Sequence, residues 1–110
     1  MEQEHILVYI TVPDAETGEQ IAHRLLDQRL AACVKIVPGI RSLYHWQGRV
    51  DDEMELLLIV TTRASLFQEQ LIPAVEAVHP YEVPEIIALP VAMGNASYLH
   101  WIDESTRPGA

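Results

Sequence analysis

Cysteine and lysine are almost missing from this chain: Cys33 and Lys35 are the single representatives of each among 110 residues. A lone cysteine forms no intrachain disulfide and builds no CxxC zinc site. The remaining basic residues are six arginines, set against 16 acidic residues for a net charge of −9. No basic stripe exists, which argues against nucleic acid and anionic membrane as partners. No apolar run approaches the ~20 residues that span a bilayer. Nothing resembles a signal peptide, because Glu2 and Glu4 stand where a basic n-region is needed. A cytoplasmic location is therefore expected. Nucleophile elbow, phosphate loop and metalloprotease helix are also lacking, and the chain is not expected to be an enzyme.

What is present is a folded composition, 49% hydrophobic and 21% charged. Its length suits a single domain over residues 1–110, with order expected from about 5 to 104 and fraying from Ser105 onward. Ile6 to Val12 is β-branched and closed by Pro13, so it reads as a buried strand. Asp14 caps the next segment, where Ile21, Ala22, Leu25, Leu26 and Arg29 repeat at helical spacing to about residue 30. Gly18 weakens that helix without breaking it. Ala32 to Trp46 is a second strand, bulged at Pro38-Gly39, and Gln47-Gly48 turns it into a third from Arg49 to Thr62. Ser65 and Gln68 match a capping box for a helix that Pro73 should kink. Ile86 to Val91 is a fourth strand, and Asn95 caps a short last helix through Ile102.

The order β-α-β-β-α-β plus a short helix is a ferredoxin-like α+β sandwich with an antiparallel sheet. Two helices cover one face of such a sheet. Leu56 to Val60 does not alternate, which implies burial on both faces. Closing the second face could bury ~500 Å² of apolar surface, on the order of 10 kcal/mol before ordering costs. A homo-oligomer is expected, with the long hairpin as the bridging element.

The densest chemistry lies in His79-Pro80-Tyr81-Glu82-Val83-Pro84-Glu85-Ile86. The prolines stiffen this corner, ending a helix near His79 and starting a strand near Val83. With Leu30-Ala31-Ala32-Cys33-Val34, with Ser42 to Gly48, and with Tyr98-Leu99-His100-Trp101-Ile102, this run resembles the divalent-cation tolerance (CutA) family from about Ile6 to Ile102. The resemblance implies a cytoplasmic homotrimer of ferredoxin-like subunits that tolerates or binds copper and other divalent metal ions. The family's strand cysteine and first corner histidine correspond to Ile10 and Val78 here, which leaves His79 alone. Thr61 stands where a lysine is common, and His45 and Gln47 replace an aromatic residue and a glutamate.

His79, Glu82 and Glu85 are the candidate metal ligands, for copper or another divalent ion held weakly. On a strand the two glutamates would point to opposite faces. The plainer reading of His79 is a helix-end cap. Tyr44, Trp46, Thr61, Arg63, Tyr81 and Glu85 are candidates for a pocket between subunits, in which Arg63 pairs with an acid such as Glu85. The alternative function is a trimer similar to the PII signalling proteins, sensing a small molecule or scaffolding partners through those clefts. Asp51-Asp52-Glu53 and Glu55 read as a solvated hairpin tip, since their spacing makes no calcium loop. Cys33 reads as a buried small hydrophobe, with a copper(I)-binding thiol as the alternative. His5, His23, His45 and His100 show no ligand spacing and read as surface or interface residues.

Overall fold

Alternation decides which side of each strand is dry. In β1 (His5–Val12) Ile6, Val8, Ile10 and Val12 are buried while the residues between them are half-buried. A computed structural model describes residues 4–107, and in it β1 is a central strand. It lies antiparallel to β3 (Arg49–Arg63) and to β4 (Ile86–Pro90), and β2 (Cys33–Trp46) completes the order β2-β3-β1-β4. This is the ferredoxin-like arrangement expected from the element order.

Helix α1 (Ala15–Asp27) starts where Asp14 accepts the Thr17 amide at 2.8 Å. Gly18 is there for closeness: a Cβ at that position would meet Val12 Cγ2 at 3.3 Å and Leu58 Cδ2 at 3.4 Å. The helix ends three residues earlier than periodicity suggested. Arg29 is not helical but left-handed, at φ 59°. The Leu30 amide then reaches the Leu25 carbonyl (2.8 Å), and Arg29 reaches Leu26 (3.1 Å). This is a Schellman closure, with the C″ residue Leu30 and the C3 residue Leu25 both buried.

The bulge appears between Val37 and Ile40, with Gly39 at φ 75°, and the hairpin turns on Gln47 (φ 50°) and Gly48 (φ 79°). Both positive φ values in the turn define type I′, which matches the twist of the two strands.

The helix after β3 departs from expectation. Ser65 caps nothing, because the segment opens one residue earlier as a 3₁₀ turn (Ala64–Leu66) whose first amide donates to the Glu4 carbonyl at 2.9 Å. A π turn over Phe67–Leu71 follows, leading into α2 (Ile72–Glu76) with Pro73 in its first turn. The missing proline amide is absorbed by this widened turn and not by a bend alone.

Residues 81–85 are loop, so the fourth strand begins at Ile86 as its own pattern gave, and the strand start expected near Val83 is not found. Helix α3 (Ala96–Ser105) is the last described element, and fraying was expected from Ser105, but Ser105 is helical and Thr106 is held. Thr106 is fully buried and accepts the Arg63 Nε–H at 2.9 Å, while His5 Nε2 meets Asp103 Oδ1 at 2.8 Å. Residues 108–110 lie outside the described part.

The core sits between the sheet and α1/α2, where Val8, Ile10, Ile21, Leu58, Val60 and Val75 are fully buried. The opposite face carries the pairs Leu7–Leu89, Tyr9–Ile87, Tyr9–Ile59 and Val37–Leu57. Contrary to the expectation that nothing covers this face, α3 is fastened to its His5–Arg63 end. Farther along, Ile87 remains 50% exposed.

Candidate functional site: an acidic cleft at the proline corner

The corner is built by satisfying backbone groups. The His79 amide closes the end of α2 onto the Val75 carbonyl at 2.9 Å. Its ring then stitches the corner to β1. Nε2 donates to the Thr11 carbonyl at 2.8 Å, and Nδ1 accepts the Tyr81 amide at 3.2 Å. A carbonyl can only accept, so the proton is on Nε2 and the imidazole is neutral. With 8% exposure and both nitrogens occupied, His79 has no lone pair facing a cleft.

Tyr81 is turned by this bracket toward the hairpin. Its ring lies 4.8 Å from that of His79, and its hydroxyl donates to Glu55 Oε2 at 2.6 Å. Glu55 is only 6% exposed, so this short, charge-assisted bond holds a buried carboxylate. Burial first, then the Glu55 carboxylate, pushes the Tyr81 phenol well above its ordinary range. Tyr44 is shifted the same way by desolvation and by the neighbouring Glu53.

These groups surround an open cleft of about 840 Å³ between the hairpin and the corner. Tyr44, Trp46, Tyr81, Glu82 and Glu85 all line this cleft, which lies within one chain, whereas the expected pocket lies between subunits. Glu82 and Glu85 reach the same space because they stand on a loop, where strand alternation does not separate them. Thr61 and Arg63 do not line this cleft of the single chain. Arg63 lies eight residues along β3 from Glu55, roughly 26 Å at strand rise, and its guanidinium holds Thr106 and not Glu85. Thr61 is buried, and its Oγ1 has no hydrogen-bond partner among the described residues.

Glu53 and Glu55, set aside as a solvated tip, belong to the cleft wall. The signal was available. Tyr44 pairs with Asp51 and Ser42 with Glu53, so residues 51, 53 and 55 share one face with Tyr44. Arg41 and Arg49 also line the cleft, but each is engaged: Arg41 in a two-pronged pair with Asp52 (3.0 and 2.7 Å), Arg49 with Asp51 (3.1 Å). Glu53, Glu55, Glu82 and Glu85 are left without a cationic side-chain partner among the described residues. The cleft is therefore acidic.

The copper site that the resemblance implied does not fit these residues. Ile10 is fully buried against the helices, Val78 packs on the same core, and the His79 ring is spent on backbone. Cys33 is half-buried, not buried, with Lys35 Nζ at 3.7 Å from its sulfur.

Comparison with known proteins agrees with the fold. The family described as CutA1 divalent ion tolerance protein matches residues 6–105. The divalent-cation tolerance protein CutA of Thermus thermophilus is 53% identical over 91% of this chain and 96% of its own length. The chloroplastic CutA protein of Arabidopsis thaliana is 51% identical over 93% of this chain, which spans only 56% of that relative's length. Among solved structures, CutA1 from Oryza sativa superposes with a TM-score of 0.91 at 50% identity, covering 96% of this chain and 95% of its own.

Proposed function

We propose, from the premise that this chain belongs to the CutA1 divalent ion tolerance family, that it serves divalent-cation tolerance by collecting cations in the acidic cleft rather than by catalysis. One observation carries the reading. Two carboxylates of the hairpin and two of the proline corner line a single cleft whose arginines are already paired, spread along its walls and not gathered at one point. Glu53, Glu82 and Glu85 are exposed, and exposed carboxylates hold copper or another divalent ion weakly. Glu82 and Glu85 are the ligands in this reading, and His79 fixes the corner that carries them.

The same reading includes a homotrimer closed over the half-exposed sheet face, and a cytoplasmic site of action. No helix among the described residues is long and apolar enough to cross a membrane. Relatives are named for the chloroplast and the periplasm.

Calorimetric titration with copper, zinc and nickel tests the cleft. Binding is expected in the parent chain and is expected to fall about tenfold or more in the Glu82→Gln/Glu85→Gln variant. Equal binding by the two proteins would overturn the assignment. A second reading draws on Tyr44, Trp46 and Tyr81, which give the cleft an aromatic lining suited to a small organic ligand, as in PII-like sensors. Native mass spectrometry of metal-free protein would favour that reading if an organic mass stays bound.

A further inference from the structure

At the other end of β1, about 20 Å from the corner at strand rise, three potential ligands come together that sequence spacing could not reveal. The carboxylate of Glu4, the imidazole of His5 and the carboxylate of Asp103 place their donor atoms within 4.8 Å of one another. Glu4 and His5 are consecutive, while Asp103 arrives from α3, 98 residues beyond His5. It is the one such group of His, Cys, Asp or Glu side chains found among the described residues. We infer that Glu4, His5 and Asp103 form a second divalent-cation site, selective for a borderline transition ion such as zinc.

The backbone beneath the group is fixed before any ion arrives. The Glu4 carbonyl accepts the Ala64 amide at 2.9 Å, and the His5 carbonyl accepts the Val91 amide at 3.0 Å. Asp103 is held because α3 is fastened just beyond it, through Thr106 and Arg63. The His5 and Asp103 donors are thus held in place, and the exposed Glu4 side chain is the one that orders on binding. The charge is also suitable. Two carboxylates and a neutral imidazole sum to minus two, which a divalent cation neutralises. Arg63 and Arg107 are the nearby cationic groups. Arg63 is turned to Thr106, and Arg107 to the Asp103 backbone carbonyl at 3.5 Å, so neither forms a salt bridge with these carboxylates.

Zinc–ligand bonds of about 2.0–2.2 Å put the donors of a tetrahedral site roughly 3.3–3.5 Å apart. Glu4 must therefore swing inward slightly, and the His5–Asp103 contact of 2.8 Å must open. The ion replaces that hydrogen bond: the Nε2 proton leaves to solvent, Nδ1 takes one up, and the imidazole stays neutral with Nε2 facing the metal. Three protein donors leave one position for water. An imidazole among the donors disfavours magnesium and calcium, which prefer oxygen alone. This site is independent of the acidic cleft, and either can fail without the other.

The plainer use of the group is a His5–Asp103 pin for α3, and one variant separates the two. Glu4→Gln leaves the pin in place and removes a charged ligand. In the full chain it should keep the metal-free Tm of the parent while losing about tenfold or more in zinc affinity by calorimetry. Zinc-soaked crystals of the parent chain should give an anomalous peak among the three side chains, and that peak should survive Glu82→Gln/Glu85→Gln. Unchanged zinc affinity in Glu4→Gln would overturn the inference. So would anomalous density confined to the cleft, which would leave the cleft reading standing. Zinc at neither place would sink both.

Discussion

At the scale of single residues, two adjacent threonines show how the same hydroxyl can help or harm. Thr62 is fully buried and its Oγ1 donates to the Leu30 carbonyl at 2.7 Å. Thr61 is equally buried, on the other face of β3, and its Oγ1 has no partner among the described residues. Thr62→Val should therefore cost about 1–2 kcal/mol by stranding a buried carbonyl, whereas Thr61→Val should gain about 1 kcal/mol by removing an orphaned hydroxyl. Urea denaturation of the two variants checks the opposite signs. A loss at Thr61 would mean that a neighbouring subunit supplies the hydroxyl's partner. Tyr81 gives a pH test. Its folded pKa is raised from 10.0 by burial and by Glu55. A raised value means that the folded state keeps its proton longer than the unfolded one. The stability tied to that proton is full below about pH 10 and is lost as pH climbs toward the folded value. Tyr81→Phe should flatten the fall in Tm above pH 10 while lowering Tm at neutral pH, because Glu55 loses its donor. An identical alkaline slope in both proteins would contradict this.

At the scale of elements, most of the fold was readable because its signals are local. Asp14, Pro38-Gly39 and Gln47-Gly48 each act within four residues, and each does what its chemistry predicts. Several misses arise where the surroundings of a segment overrode a local rule. Ser65 was superseded as a cap because the Glu4 carbonyl, far away in sequence, takes the first amide of the segment. Glu82 and Glu85 were separated on paper by a strand that the corner does not form. Within one chain the length of β3 keeps Thr61 and Arg63 apart from the corner, and the pocket expected to join them lies between subunits. Arg29 is the exception, a local misreading, since its place on the helical stripe concealed a left-handed turn. That turn is open to improvement. A non-glycine residue there bears about 1–2 kcal/mol of steric cost, only partly offset by the greater unfolded-state freedom of glycine. Arg29→Gly should raise Tm by a few degrees in a thermal melt, with unchanged circular dichroism. A fall in Tm would mean that the Arg29 side chain makes a compensating contact.

At the scale of the molecule, the two faces of the sheet are unequal. Helices α1 and α2 seal one face completely, whereas α3 reaches only the end of the other that carries His5 and Arg63. Beyond α3 the face offers Tyr9, Ile59, Leu57 and Ile87 to whatever lies against it. For a chain alone in water, Ile87→Glu is a surface substitution at a side chain already half-exposed, and it should alter stability by no more than about 0.5 kcal/mol. If copies of the chain close over this face, the same glutamate is driven into an apolar contact at a cost of several kcal/mol, and the assembly dissociates. Met93 is 90% exposed and serves as the control, since Met93→Glu should change nothing. Sedimentation velocity reads the outcome directly: a trimer for the parent chain and for Met93→Glu, and smaller, less stable species for Ile87→Glu. A parent chain that sediments as a stable monomer would remove the reason for closing the face. The cleft at the proline corner would then have to bind its cations with the walls of one subunit alone.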